Sequence, residues 1–259
     1  MSKIDYCTFF LLCLFTQSAA AQSGGYTYDS TCKCDSYSAS YNACATWSCV
    51  YTPRTIACFP GDSWLMTRDG GVTQLSNVKV GDQVLSVDNE QNLNFEPILD
   101  FIHAEPNGLY DFLSISITSP FNDTIVLRVT ANHLIFLHKN AYPIFAGRVK
   151  VGDDLQIVVD AKLSHGKVVD IKLRKSEGFY APLTSSGKVV IDNVVASNYA
   201  DINNHYLAHV AMKPYKWWLQ IFGSRSTTMN CYIQSLRLFA EKWISTIMYD
   251  GTFEISGFM

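Results

Sequence analysis

The sequence predicts an all-β domain, with a short cysteine-rich segment ahead of it and a helical extension behind it. Three observations carry this. Strand-length apolar runs recur from residue 58 to about 204, separated by turn signals rich in Gly, Asn and Pro. No long helical period interrupts them. Finally, Val78-Lys79-Val80-Gly81-Asp82-Gln83-Val84-Leu85 returns 71 residues later as Val149-Lys150-Val151-Gly152-Asp153-Asp154-Leu155-Gln156. One copy in each half of the β region predicts two related subunits, a pseudo-two-fold arrangement.

Taken in order, residues 1–21 read as a signal peptide. Lys3 precedes the apolar run Phe9–Phe15, and Ala19-Ala20-Ala21 forms a small-residue cleavage site before Gln22. The run is too short to span a bilayer. The chain is therefore expected to be secreted and processed in the secretory pathway, with an uncleaved N-terminal anchor as the alternative. Removing Cys7 and Cys13 leaves six of the eight cysteines in an oxidising compartment.

Residues 22–57 form a secreted segment rich in Ser, Tyr, Gly and Ala, too poor in aliphatic residues to build a core. Cys32, Cys34, Cys44 and Cys49 lie here as disulfide candidates. Cys32-Lys33-Cys34 is too tight for an easy internal bridge, which favours cross-pairing with Cys44 and Cys49. A metal site is disfavoured, because the segment has no His and no C-x2-C spacing.

Six runs mark strands in the β domain, residues 58–204. They are Val84–Val87, Phe112–Ile117, Thr124–Val129, Gln156–Val159, Lys167–Leu173 and Lys188–Ile191. Turns are expected at Asp69-Gly70-Gly71, Pro106-Asn107-Gly108, His165-Gly166 and Ser186-Gly187. Asn122-Asp123-Thr124 is a glycosylation sequon.

The extension, residues 205–259, holds three of the five tryptophans: Trp217, Trp218 and Trp243. Leu236, Phe239, Ala240, Trp243, Ile244 and Ile247 fall at helical spacing and predict an amphipathic helix over 230–249. Two readings stand: a helical cap on the β domain, or a lipid- or membrane-facing surface, since Trp with Lys and Arg suits an interface. The net charge of −3 and the lack of any basic block exclude a nucleic-acid footprint. One main domain with small appendages, a monomer, is expected.

Three places carry candidate chemistry. Cys58 opens the β domain, apart from the other mature cysteines. A thiol near pKa ~8.5 needs activation to act as a nucleophile. The alternative is a structural bridge from Cys58 to Cys231, which would pair the mature cysteines evenly. Thr130-Ala131-Asn132-His133 follows a strand, so Thr130 and His133 converge at its end. His is the natural acid or base near neutral pH, although an ordinary loop His stands as the alternative. His103, at the end of another apolar run, has the same two readings. His138, His165, His205 and His209 show no recognisable partners.

Together these pieces resemble the Hint domain of hedgehog proteins, the intein-like Hog module, over about residues 58–215. Ala57-Cys58-Phe59 is similar to the family's Gly-Cys-Phe cleavage junction. Val80–Leu85 resembles its Gly-Asp-x-Val-Leu strand, and Thr130–Leu134 its Thr-x-x-His block. Ala181-Pro182-Leu183-Thr184 and Val194–Ala200 resemble two late blocks, and Leu207-Ala208-His209 the start of its C-terminal extension. The short N-terminal part resembles that of nematode hedgehog-related proteins.

The resemblance implies a single-turnover reaction in cis. Cys58 attacks the carbonyl of Ala57, His133 protonates the departing amide nitrogen, and Thr130 orients the scissile group. The thioester is then cleaved by a sterol or other lipid alcohol, cholesterol-like in the family, which serves as second substrate; no cofactor or metal is implied. The extension, with Trp217, Trp218 and Trp243 as lipid-binding candidates, is the expected recognition region and membrane contact. Three departures stand out: Ala57 for Gly, His103 where the family has an acid that activates the sterol hydroxyl, and Asn198 where it has a second cysteine. The rival expectations are simple hydrolysis, or an inactive Hint-like secreted structural or signalling protein.

Overall fold

The computed structural model describes residues 28–38, 43–53, 58–138, 142–223 and 253–258, together with 232, 236, 239–240 and 248. The expected signal peptide, Ala57, Cys231 and Trp243 lie outside the described residues.

The described chain is mostly β. Its spine is a pair of long antiparallel strands, β7 (Asp100–Thr118) and β12 (Lys162–Leu183), paired from Thr118 opposite Lys167 to Asp100 opposite Leu183. Around them run β8 (Thr124–Val129), β9 (His133–Ile135), β10 (Ile144–Phe145), β11 (Asp154–Val159) and β14 (Val194–Ala200), in the order β10-β9-β14-β11-β12-β7-β8. β13 (Lys188–Ile191) pairs with β14. Two small ribbons complete the domain: β3 (Trp64–Met66) with β4 (Val72–Gln74), and β5 (Gln83–Val87) with β6 (Leu93–Pro97).

All six apolar runs lie within strands. Their alternation puts Ile115, Ile117, Leu127, Val129 and Ile157 into one core with no exposed surface, joined by Leu155 of β11. Burying each such side chain stabilises the fold by about 1.5–3 kcal/mol before entropy is counted.

The sequence repeat is a structural repeat. A short 3-10 turn precedes each copy, Leu75–Asn77 and Ala146–Arg148. Gly81 and Gly152 both take positive φ, at 96° and 98°. The Asp82 carboxylate accepts from Lys79 N at 2.8 Å, and Asp153 accepts from Lys150 N at 2.8 Å. Gly81 N donates to Ile98 O at 2.8 Å, as Gly152 N does to Val168 O at 2.8 Å. The same residues thus close the same turn in each half.

Two expected turns are corrected. Pro106-Asn107-Gly108 stays within β7 as a bulge, in which the pairing skips from Leu109–Glu177 to Glu105–Phe179. His165-Gly166 is a paired part of β12. The β11–β12 and β13–β14 hairpins turn at Asp160-Ala161 and Asp192-Asn193, all four with positive φ. Three of these four are Asp or Asn, which tolerate that conformation, and Ala161 adopts it beside Asp160.

The cysteine-rich segment is a hairpin, β1 (Tyr28–Ser38) with β2 (Ala43–Pro53), closed by Cys32–Cys49 and Cys34–Cys44 disulfides. A last strand, β15 (Phe253–Phe258), adds to β2 and makes a three-stranded sheet.

The described helix of the extension is α1 (His205–Phe222), earlier than the predicted 230–249. Within that range residues 232, 236 and 239–240 are helical, and the rest lie outside the described residues. Asn204 caps α1 by accepting from Leu207 N at 2.9 Å. Ala208, Met212, Tyr215 and Leu219 form its buried stripe against Leu183 and Tyr199. No described helix is long and apolar enough to cross a membrane.

Candidate active site

Cys58 follows the undescribed residues 54–57 and enters the domain fully buried. Phe59, also fully buried, fixes it by exchanging two hydrogen bonds with Tyr180, Phe59 N to Tyr180 O at 2.9 Å and Tyr180 N to Phe59 O at 2.8 Å. Cys58 belongs to neither described disulfide.

Thr130 leaves β8 at the point where the domain meets Cys58. The Cys58 backbone N–H donates to Thr130 Oγ1 at 2.9 Å, and Thr130 N donates back to Cys58 O at 3.1 Å. This amide nitrogen is the one a break at 57/58 would release. Thr130 and His133 are both fully buried. The intervening turn is held from three sides. His133 N donates to Thr130 O at 3.1 Å, Gly147 N to Ala131 O at 2.8 Å, and the Asn132 amide to Asp201 at 2.6 Å.

The His133 ring stands 4.3 Å from the Phe59 ring, centroid to centroid, in an edge contact. Its Nε2 is 2.7 Å from Ser197 O. A carbonyl can only accept, so Nε2 carries the hydrogen. In the neutral ring Nδ1 is then the basic nitrogen.

Ser197 links this ring to the extension. Its hydroxyl accepts from Tyr199 N at 2.9 Å and is hydrogen-bonded to His205 Nδ1 at 2.9 Å. His205 opens α1. Burial, chiefly, and the nearby His209, Lys188 and Lys216 hold it well below the ordinary imidazole range, at about 3. His209 meets Tyr199 OH at 3.1 Å and Lys216 Nζ at 3.4 Å. Burial and Lys216 bring it to about 4. Burial likewise brings Lys216 down to about 8. His205 and His209 therefore do have partners. The sequence hid them because they come from an element folded back onto β14. His138 and His165 are also partnered, stacked on each other at 4.6 Å.

His103 lies on β7, one strand beyond β12 from the Cys58–Phe59 segment. It lies opposite Ala181 on β12, which continues the register that pairs Tyr180 with Phe59. Extending the Phe59–Tyr180 register by one residue puts Cys58, Ala181 and His103 in one row, about 10 Å from end to end at the usual strand spacing. The His103 ring packs 6.1 Å from Phe179 and is partly exposed. Asn198 is buried and structural. Its amide donates to Pro182 O at 2.5 Å, and its Oδ1 accepts from Thr184 at 3.2 Å. Trp217 is exposed on α1, while Trp218 packs against the Leu183–Tyr199 cluster. No cluster of metal-ligating side chains occurs among the described residues.

A family model described as the Hint module matches residues 48–247. The chain is 33% identical over 184 residues to the Tiggy-winkle hedgehog protein of Danio rerio, covering 67% of this chain and 44% of that one. It is 34% identical over 174 residues to the Sonic hedgehog protein of Xenopus laevis, covering 63% and 38%. It is 30% identical over 165 residues to Warthog protein 4 of Caenorhabditis elegans, covering 58% and 29%. The chain thus spans less than half the length of these curated relatives. Among solved structures, a DnaB intein from Synechocystis sp. PCC 6803 aligns with a TM-score of 0.43 at 11% identity, over 55% of this chain and 98% of the intein. The family match covers most of the sequence, including the Cys58, Thr130 and His133 positions, and by it this chain belongs to the Hint family, with a Hint domain of the hedgehog type.

Proposed function

We propose that the domain cuts its own chain at Ala57–Cys58 and passes the N-terminal segment to a lipid alcohol. One observation carries this reading. The amide nitrogen of Cys58 is held by the buried Thr130 hydroxyl, beside the His133 ring that packs on Phe59. A nucleophile, the nitrogen it must expel and an imidazole that can protonate that nitrogen share one dry corner.

The steps balance as follows. The Cys58 thiol gives its proton to the basic Nδ1 of His133 as the sulfur bonds to the Ala57 carbonyl carbon, and the C–N bond then breaks as His133 passes that proton to the nitrogen. A thioester and a free Cys58 amine result. An alcohol oxygen then attacks the thioester carbonyl, the C–S bond breaks, and the alcohol proton passes to a base, for which His103 is the candidate in the Cys58 row. Attack within one chain gains most from proximity, worth several kcal/mol of the barrier. As the nitrogen gains positive charge, its bond to Thr130 Oγ1 becomes charge-assisted and strengthens, which favours the transition state over the ground state. The two disulfides suit the secretory pathway as the place of processing. The exposed Trp217 makes α1 the candidate face for the alcohol or for a membrane.

Hydroxylamine tests this without knowledge of the acceptor. Added to the purified full chain, it should sever residues 22–57 as a hydroxamate at Ala57, read by denaturing intact mass. A chain that stays full-length with hydroxylamine present would contradict thioester formation.

A further inference from the structure

The strand that completes the N-terminal hairpin's sheet lies on the other side of the scissile bond. β15 pairs antiparallel with β2 over six successive positions, from Phe253 opposite Tyr51 to Phe258 opposite Thr46. We propose that β15 keeps the N-terminal hairpin bound to the β domain after the Ala57–Cys58 bond is cut, so that the first product is a noncovalent complex rather than a free peptide. This rests on the cleavage reading above and adds what happens to its product.

Four features support it. Both described disulfides join β1 to β2 within the segment, and none among the described residues ties that segment to residues 58–259. Among the described residues, a cut therefore leaves the β15–β2 pairing as a noncovalent link. β15 is anchored to the domain, because Phe253 is 5% exposed and belongs to the main core cluster. The pairing begins at that anchored residue, so the sheet grows directly out of the domain. On the hairpin side, Ser48 and Cys49, opposite Ser256 and Ile255, are buried.

A two-stranded ribbon is marginal in water, and a third strand is what makes a small sheet stable. Backbone pairing of this kind is the strand-addition mode of peptide recognition, and its partner here is a segment of the same chain. Before the cut, the pairing holds Tyr51 against the domain, and six residues, 52–57, lead from there to Cys58. After the cut, it covers the edge of β2, so a partner that adds a strand there has to displace β15. Release then requires β15 to be displaced.

The test makes the cut independent of self-cleavage. In a full chain carrying Cys58→Ala, residues 54–57 are replaced by a sequence-specific protease site, and the protein is digested without reductant and run on native size exclusion. The hairpin should co-elute with residues 58–259 at equal stoichiometry. The same chain ending at Phe253, which retains the core anchor and loses the remaining rungs, should release it. An unchanged thermal midpoint of the β domain shows that this truncation has not unfolded it. Release of the hairpin from the digested full-length chain, or equal retention in both chains, would overturn the proposal. If the unmodified chain is never cut, the cleavage reading fails, and the engineered digestion still decides whether β15 holds the hairpin.

Discussion

Replacing Thr130 by Val deletes one hydroxyl at nearly constant shape. Its Oγ1 accepts the Cys58 amide hydrogen at 2.9 Å, and both residues are fully buried. In the resting chain the loss strands a buried N–H, which costs about 1–3 kcal/mol of stability. During expulsion of the nitrogen the same contact becomes a bond from a charged donor. Charged hydrogen bonds contribute about 1.5–3 kcal/mol against about 0.5–1.5 for neutral ones. The difference, about 1–2 kcal/mol, appears only in the transition state and corresponds to a cleavage rate lowered roughly 5- to 30-fold. The assay is the time course of full-length chain against fragments by intact mass, well below the thermal midpoint of the variant. Thr130→Ser restores the acceptor and should recover most of the rate. If Thr130→Val cleaves at the parent rate while folded, the Cys58–Thr130 bond has no part in the reaction. If Thr130→Ser, which keeps the hydroxyl, is as slow as Val, loss of the hydroxyl does not account for the effect of Val.

His103→Ala should leave hydroxylamine-driven cleavage unchanged and lower transfer to a lipid alcohol by on the order of 100-fold or more, the usual worth of a positioned base; equal loss in both assays would move His103 into the first step. Stability should fall on acidification, because His205 and His209, held at about 3 and about 4, stay neutral in the folded chain while unfolded imidazoles protonate near 6.5. The unfolded state then binds more protons between about pH 6.5 and 4, and the folded state loses up to about 1.4 kcal/mol per pH unit through His205, with less through the half-exposed, screened His209. His205→Gln should flatten the fall in thermal midpoint from pH 7 to 5, and an equal slope in both proteins would contradict it. Gly166→Ala places a Cβ 2.5 Å from Ile117 Cγ2 and 3.2 Å from Thr118 O, so the midpoint should drop in line with about 1–3 kcal/mol of overpacking.

How far the sequence could be read depended on the range of the forces involved. Strand runs such as Thr124–Val129 are legible because alternation is local and the core confirms it. The Thr130–His133 pair is legible for the same reason: its two members share one strand end. The contact of that pair with Cys58 spans 72 residues and came from family resemblance rather than from spacing. The Ser197–His205 connection was invisible, since it depends on α1 folding back over β14, and Pro214 inside that helix reads as a breaker. The long strand β7 was hidden by Pro106-Asn107-Gly108, which signals a turn locally, although the pairing with β12 absorbs it as a bulge. Phe253–Phe258 is too short and too ordinary to announce a strand, and only its position beside β2 makes it one.

The most direct test of the account is the intact mass of the N-terminal product from cells expressing the full chain, beside the same chain with Cys58→Ala. The account predicts a fragment ending at Ala57 that carries the added mass of an alcohol, and only uncut chain from the Cys58→Ala variant. A fragment ending at Ala57 without added mass would replace transfer by hydrolysis. Uncut chain from both, or an equal cut in both, would contradict self-cleavage through Cys58.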